Sequence, residues 1–149
     1  MNIESSGQGQ LGSKEVLLFN INQNKDYSLA INRVKFHKSI LSIYGVNITF
    51  KNCFFTDSFM TGYGANVSKV QFYVISTLFT GLRGLRQERE IVRLSNYEII
   101  VFKMCKLANI VTKEKVKSVM LKKIGSIFII NCSITASVSG TMFDIEQSN

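Results

Sequence analysis

The residues whose side chains could do chemistry are few and widely spaced. The sequence of 149 residues has three cysteines and a single histidine, His37. Cys53, Cys105 and Cys132 form no Cys-x-x-Cys pair and no Cys/His cluster with the spacing of a metal site. An odd number of isolated cysteines does not make a disulfide framework either. The sequence therefore predicts free thiols that behave as small apolar side chains, with no metal and no cofactor.

Acid–base catalysis would need carboxylates that converge on one place. The aspartates, Asp26, Asp57 and Asp144, lie in different parts of the chain and form no Asp-Asp pair. Glycoside hydrolysis uses two neighbouring carboxyl groups as acid and base, and a Ca²⁺ site needs several converging oxygen ligands. His37 stands alone between Phe36 and Lys38, as a solvated surface histidine does. We therefore predict that this chain carries no catalytic residue and is not an enzyme.

Positive charge is concentrated in one stretch of the chain. Eighteen Lys and Arg against ten Asp and Glu give a formal net charge of +8, and most of the excess lies in residues 81–123. Such a patch attracts nucleic acid or acidic glycan, although lysines on strand edges also simply discourage aggregation. The candidate basic binding face consists of Arg83, Arg86, Arg89, Arg93, Lys103 and Lys106.

An internal repeat sets the three cysteines in register. Each follows a few residues of β pattern, within the segments 47–55, 98–107 and 126–134, and two further segments fit with another residue in the cysteine position. An apolar residue always follows two places later, which puts both side chains on one strand face. The predicted core ladder is formed by Val34, Cys53, Thr77, Cys105, Cys132, Phe36, Phe55, Phe79, Leu107 and Ile134.

A second short apolar element recurs before most copies, and Gly45, Asn96 or Gly125 supplies the turn between the two. A unit of roughly 19–28 residues with two short strands must stack on its neighbours to bury its apolar face. The ladder is not built of leucine, which argues against a leucine-rich repeat. We predict an all-β fold, a right-handed parallel β-helix with about five rungs and a partial sixth over residues 15–149. Residues 1–14 are predicted to be a flexible tail.

One stretch resembles a known rung. Residues 47–58, Asn-Ile-Thr-Phe-Lys-Asn-Cys-Phe-Phe-Thr-Asp-Ser, are similar to the repeating unit of pectin-lyase-like right-handed β-helix proteins, and so are residues 129–134. The resemblance extends over roughly residues 15–149. It implies the β-helix fold, and it implies little about activity, because such rungs occur in enzymes, phage spikes and large surface proteins alike.

The composition excludes other classes. With 46% hydrophobic and 19% charged residues, the chain can form a core and is not disordered as a whole. No apolar run approaches the roughly 20 residues of a transmembrane helix, and the polar first fifteen residues contain no signal peptide.

We therefore expect a non-enzymatic structural module of stalk or adhesion type, whose loops are available for partners such as acidic glycan or another surface protein. As part of a longer protein it would be extracellular or on the cell surface, and an open end would favour end-to-end self-association. Exposed aromatics such as Phe59, Tyr63 and Tyr97 could serve as a glycan platform. Two alternatives remain: a fragment of a polysaccharide lyase or hydrolase whose catalytic residues lie outside this chain, and a basic-face binder of acidic glycan or nucleic acid.

Overall fold

A computed structural model describes residues 2–4, 10–11, 16–20, 28–64, 69–81, 90–110, 117–135 and 141–146. Within these ranges all regular structure is β. Eighteen strands form three sheets of six strands each, and every strand pair is parallel. Each sheet takes every third strand in chain order, so the backbone winds through the three sheets in turn. The fold is a right-handed parallel β-helix, which confirms the predicted fold class.

Each coil of the helix contains one strand from each sheet. Coil 1 has β1 (Asn2–Glu4), β2 (Gln10–Leu11) and β3 (Val16–Asn20); coil 2 has β4 (Ser28–Asn32), β5 (Lys35–His37) and β6 (Ile40–Tyr44); coil 3 has β7 (Asn47–Lys51), β8 (Phe54–Thr56) and β9 (Phe59–Tyr63); coil 4 has β10 (Gln71–Ile75), β11 (Leu78–Thr80) and β12 (Val92–Ser95); coil 5 has β13 (Ile99–Lys103), β14 (Lys106–Ala108) and β15 (Lys117–Lys122); coil 6 has β16 (Ser126–Ile130), β17 (Ser133–Thr135) and β18 (Thr141–Glu146). Sheet 1 contains the first strand of every coil, sheet 2 the second and sheet 3 the third.

The core is a set of inward rows in which like residues stack on like. In sheet 2 the register places Phe36, Phe55 and Phe79 in one row, followed by Leu107 and Ile134. The ring centroids of Phe36 and Phe55 lie 4.5 Å apart at 9°, and those of Phe55 and Phe79 lie 4.9 Å apart at 10°. Strand spacing of roughly 4.7–4.9 Å brings identical side chains into this stacked contact. The alternation of apolar and polar residues therefore determines which side chains enter the core.

Single residues in the left-handed region of backbone conformation form the corners between strands. Ten non-glycine residues among those described have positive φ, between 48° and 58°, as has Gly45 at 63°. Each of these residues turns the chain from one sheet to the next, and in coils 2 to 5 its N–H donates to the following coil. Asn52 donates to the carbonyl of Ile75 at 3.0 Å, and Met104 donates to that of Ile130 at 2.8 Å. The coil-to-coil hydrogen bonding thus continues through the corners.

The structure differs from the sequence prediction in three details. Each coil has three strands where two elements were expected, because a corner such as Asn52 lies inside what looked like one long strand. The turn assigned to Gly125 is made two residues earlier, where Lys123 has a φ of 54°. Residues 1–14, for which we expected a flexible tail, contain β1 and β2, which pair with β4 and β5.

Candidate functional site

The thiols of the ladder are hydrogen-bond donors to the backbone. Cys53, Thr77, Cys105 and Cys132 each directly follow the corner between sheets 1 and 2. The Sγ of Cys105 lies 3.3 Å from the carbonyl oxygen of Val74 in the preceding coil and 3.4 Å from that of Lys103 in its own coil. The other two cysteines repeat this arrangement at 3.4–3.5 Å. The thiols therefore supply hydrogen-bond donors to backbone carbonyl oxygens at the corners.

Thr77 shows that the hydrogen bond, and not the sulfur, is what this row has in common. Its Oγ1 donates to the carbonyl of Ile75 at 3.0 Å and accepts the N–H of Cys53 at 3.3 Å. The corner between sheets 2 and 3 is built in the same way with serine. Ser58 Oγ donates to the carbonyl of Thr56 at 2.9 Å and accepts the N–H of Ser39 at 3.1 Å. These buried polar side chains satisfy backbone groups at the corners.

Burial makes the thiols poor nucleophiles. Removal from water raises the pKa of Cys53, and it raises the pKa of Cys105 to about 11. Because the thiolate is the reactive form, both groups are neutral and unreactive near pH 7. Cys105 is 1% exposed and Cys53 is 3% exposed. The arrangement suits hydrogen-bond donation and packing.

The predicted ladder residues lie on the inside of the helix. Val34, Phe36, Phe55 and Phe79 are buried, as are Leu107, Cys53, Thr77 and Cys105. Cys132 is partly buried and Ile134 is 47% exposed, because both belong to coil 6, the last coil described.

The carboxylates do not converge. Asp57 forms a corner with a φ of 48°, and Asp144 on β18 pairs with Lys117 of the neighbouring strand. That contact raises the pKa of Lys117, chiefly through its hydrogen bond to Asp144. His37 ends β5 in sheet 2, partly exposed, and Asp26 lies outside the described residues. Within the described ranges no three His, Cys, Asp or Glu side chains group closely enough to hold a metal ion.

The candidate basic face is divided between sheets. Arg83, Arg86 and Arg89 lie outside the described residues. Arg93 projects from β12 in sheet 3, Lys103 ends β13 in sheet 1, and Lys106 begins β14 in sheet 2; all three are exposed. Lys103 and Lys106 thus flank one corner, at Met104, whereas Arg93 is on a different sheet.

Sequence reasoning missed an apolar outer face on sheet 1. On β13 and β16 most outward positions are apolar as well as the inward ones, the exceptions being Lys103 and Ser126, and Phe128 and Ile130 are 49% and 40% exposed. Partly buried outward side chains of β10 and β13 continue this face, which consists of Tyr73, Ile75, Ile99, Val101, Phe128 and Ile130. The signal was present as two uninterrupted apolar runs, which are typical of strands with apolar residues on both faces.

The three aromatics considered as a glycan platform do not share a surface. Tyr97 is 2% exposed and packs edge-on against Phe72, with centroids 5.3 Å apart at 71°. Its hydroxyl has no hydrogen-bond partner among the described residues. Phe59 and Tyr63 lie outward on β9, where Tyr63 stacks on Tyr44 with ring centroids 5.3 Å apart. Burial of Tyr97 separates it from that pair.

No protein-family model matches this sequence, and no curated protein and no solved structure is detectably similar to it. In the part of the chain that the structure describes, no helix is long and apolar enough to cross a membrane.

Proposed function

We propose that the protein is a non-enzymatic structural module, a stiff parallel β-helix whose outer faces and loops meet partners. One observation carries the proposal: the side chains that could have done chemistry are engaged in holding the corners together. Cys53, Thr77 and Cys105 are buried and hydrogen-bonded to backbone groups. The row of stacked rings at Phe36, Phe55 and Phe79 supports the same conclusion, because close packing leaves side chains little freedom to rearrange.

We further propose that the chain is of the pectin-lyase-like, non-catalytic surface type. The three-sheet coil and the Asn-Cys corners at Asn52-Cys53 and Asn131-Cys132 support this assignment. An extracellular or cell-surface role as part of a longer protein agrees with a stiff solenoid. Partners of that role would be acidic glycan or another surface protein.

The competing enzyme function is tested directly. Purified chain is incubated with acidic and neutral polysaccharides, and new reducing ends and unsaturated uronates are measured. We expect neither product to form above the rate of the buffer blank. Turnover that Arg93→Ala or His37→Ala abolishes, while the folded state is kept, would overturn the structural proposal.

A second candidate function is binding of an anionic polymer at the Met104 corner. Lys103 and Lys106 flank this corner, both are exposed, and neither has an ion-pair partner among the described residues. Two unpaired cations close to an exposed apolar side chain, Met104 at 48%, suit an acidic glycan better than a lone lysine would.

Binding to heparin and to DNA across a salt series tests this candidate. Counterion release predicts affinity that falls steeply as salt rises. The double variant Lys103→Ala/Lys106→Ala should weaken binding, whereas Lys122→Ala, whose lysine pairs with Glu146, serves as the matched control. Equal loss in both variants would locate the binding elsewhere.

A further inference from the structure

The inward rows of the helix end in exposed isoleucines. Ile129, Ile134 and Ile145 each end one inward row, in sheets 1, 2 and 3, and they are 43%, 47% and 48% exposed, whereas Ile127 and Phe143 end two further rows and are partly buried. Their counterparts one coil earlier are at most 3% exposed: Phe102, Leu107 and Leu121. All three sheets therefore present an uncovered apolar residue at the same end of the molecule.

The same end carries a free backbone edge. Among the described residues, β16, β17 and β18 are the last strands in their sheets and pair on one side only. At the equivalent corners of earlier coils, Asn52 and Met104 donate their N–H groups to the following coil. Asn131 occupies that corner in coil 6, with a φ of 51°, and among the described residues no following coil accepts its N–H. Unpaired strand edges of this kind are templates for further pairing.

The geometry of the exposed face of coil 6 determines what kind of structure can pair with it. Five coil-to-coil interfaces within the chain are built alike, each from three parallel strand pairs in register. The exposed end of coil 6 continues the same interface, so its complement is another three-stranded coil running in the same direction. Coil 1 has that form, and within the described ranges its strands β1, β2 and β3 are the first of their sheets and pair on one side only.

We propose that coil 6 docks head-to-tail on coil 1 of a second copy of this chain. β16 would pair with β1, β17 with β2 and β18 with β3 of the second copy, and the three isoleucines would be covered. Such a contact uses two different surfaces, so it does not close on itself and produces linear chains of copies.

Charge sets the conditions for this association. Each copy carries a formal net charge of +8, so neighbouring copies repel each other at low ionic strength. Salt screens that repulsion and leaves apolar burial and backbone pairing in place. Self-association should therefore strengthen with added salt, in contrast to binding of an anionic polymer, which should weaken.

Two neighbouring residues provide a matched test. Ile129 and Ile130 lie side by side on β16 with similar exposure, 43% and 40%, but Ile129 is in the inward row and Ile130 faces outward. Sedimentation velocity over a range of protein concentrations at low and high salt, with electron microscopy, gives mass and shape. Circular dichroism and thermal unfolding verify that each variant is folded.

We expect the wild-type chain to form linear species whose mean mass grows with concentration and with salt. Ile129→Lys should weaken association at least tenfold, because it places a charge in the contact, while Ile130→Lys should behave as the wild type does. A wild-type chain that stays monomeric up to millimolar concentration would overturn the proposal. So would association that stops at dimers, or association that Ile130→Lys abolishes and Ile129→Lys leaves intact, since the contact would then be the outer face of sheet 1.

Discussion

The thiol of Cys105 donates a hydrogen bond across the coil boundary to the carbonyl oxygen of Val74, with sulfur and oxygen 3.3 Å apart. The same thiol reaches the carbonyl of Lys103 at 3.4 Å. One small side chain therefore supports two coils at a corner, and a hydroxyl could do the same, as Thr77 shows.

The first prediction follows from that contact. Cys105→Thr should change the free energy of unfolding by less than about 1 kcal/mol, because its hydroxyl can keep the donor role. Cys105→Asp should cost about 3 kcal/mol, because it buries a carboxylate among acceptors. Urea unfolding followed by circular dichroism measures both. Lys106→Asp, at the exposed next position, is the control and should cost little; similar losses at both positions would show that residue 105 faces outward.

Alkaline pH should destabilise the protein through the same thiol. Burial raises the pKa of Cys105 from its ordinary value of 9.0 to about 11. Between these two values the folded state keeps a proton that the unfolded state has lost, so stability is fully present below pH 9 and falls as pH rises. The expected loss is about 2 kcal/mol by pH 11. Denaturant unfolding across this range should show a shallower decline in Cys105→Thr, and identical curves would contradict the assignment.

Tyr97→Phe should stabilise the protein. The buried hydroxyl of Tyr97 has no hydrogen-bond partner among the described residues, so its removal relieves a desolvation cost of about 1 kcal/mol. Burial also raises the pKa of this hydroxyl strongly. The melting temperature should rise by about 2–4 °C. Tyr73→Phe is the matched control: Tyr73 donates to Gln71 Oε1 at 2.8 Å, so the same change should bring no gain.

The effect of residue type on stability at the corners can be tested at two non-glycine residues whose φ values are nearly equal. Met104 and Asn109 have φ of 53° and 54°, but asparagine tolerates this region much better than methionine does. Met104→Asn should therefore stabilise the chain by about 1 kcal/mol, and Asn109→Met should destabilise it by a similar amount. Chemical unfolding of each single variant measures the change in the free energy of unfolding. If the two changes had the same sign, the φ values would not be the cause.

Much of the fold could be predicted because the inward rows follow a simple rule. Phe36, Phe55 and Phe79 are three residues beyond the corner residue and two beyond the cysteine position in every case, and period-2 spacing is visible without any structure. The corners at Gly45 and Asn96 were predicted as turns, but others could not be, because Arg33, Lys38 and Met104 take positive φ against their intrinsic preference. Coil-to-coil hydrogen bonds impose that conformation, and no local sequence signal announces it.

The candidate site was less predictable, because it depends on which sheet a residue reaches. The charges of Arg93 and Lys103 are ten residues apart in sequence, yet a turn of the coil puts them on different sheets. Tyr97 looked exposed because it follows a turn residue, but Gly62 leaves room for its ring: a Cβ at Gly62 would lie 2.7 Å from the Tyr97 hydroxyl. Gly62 and Tyr97 belong to different coils, so the fit between them cannot be seen in either segment of the sequence alone.

The all-parallel winding also determines how the chain can reach this structure. None of the described strands is joined to its partner by a hairpin; even Ser39 and Ser58, which meet at a corner, are 19 residues apart in sequence. The first pair of coils loses the entropy of closing such a loop before any hydrogen bond forms between its strands. Each later coil pairs with strands that are already in place. Folding should therefore begin slowly and then proceed as a zipper. The stacked rings of Phe36, Phe55 and Phe79 make coils 2 to 4 the natural place for it to start.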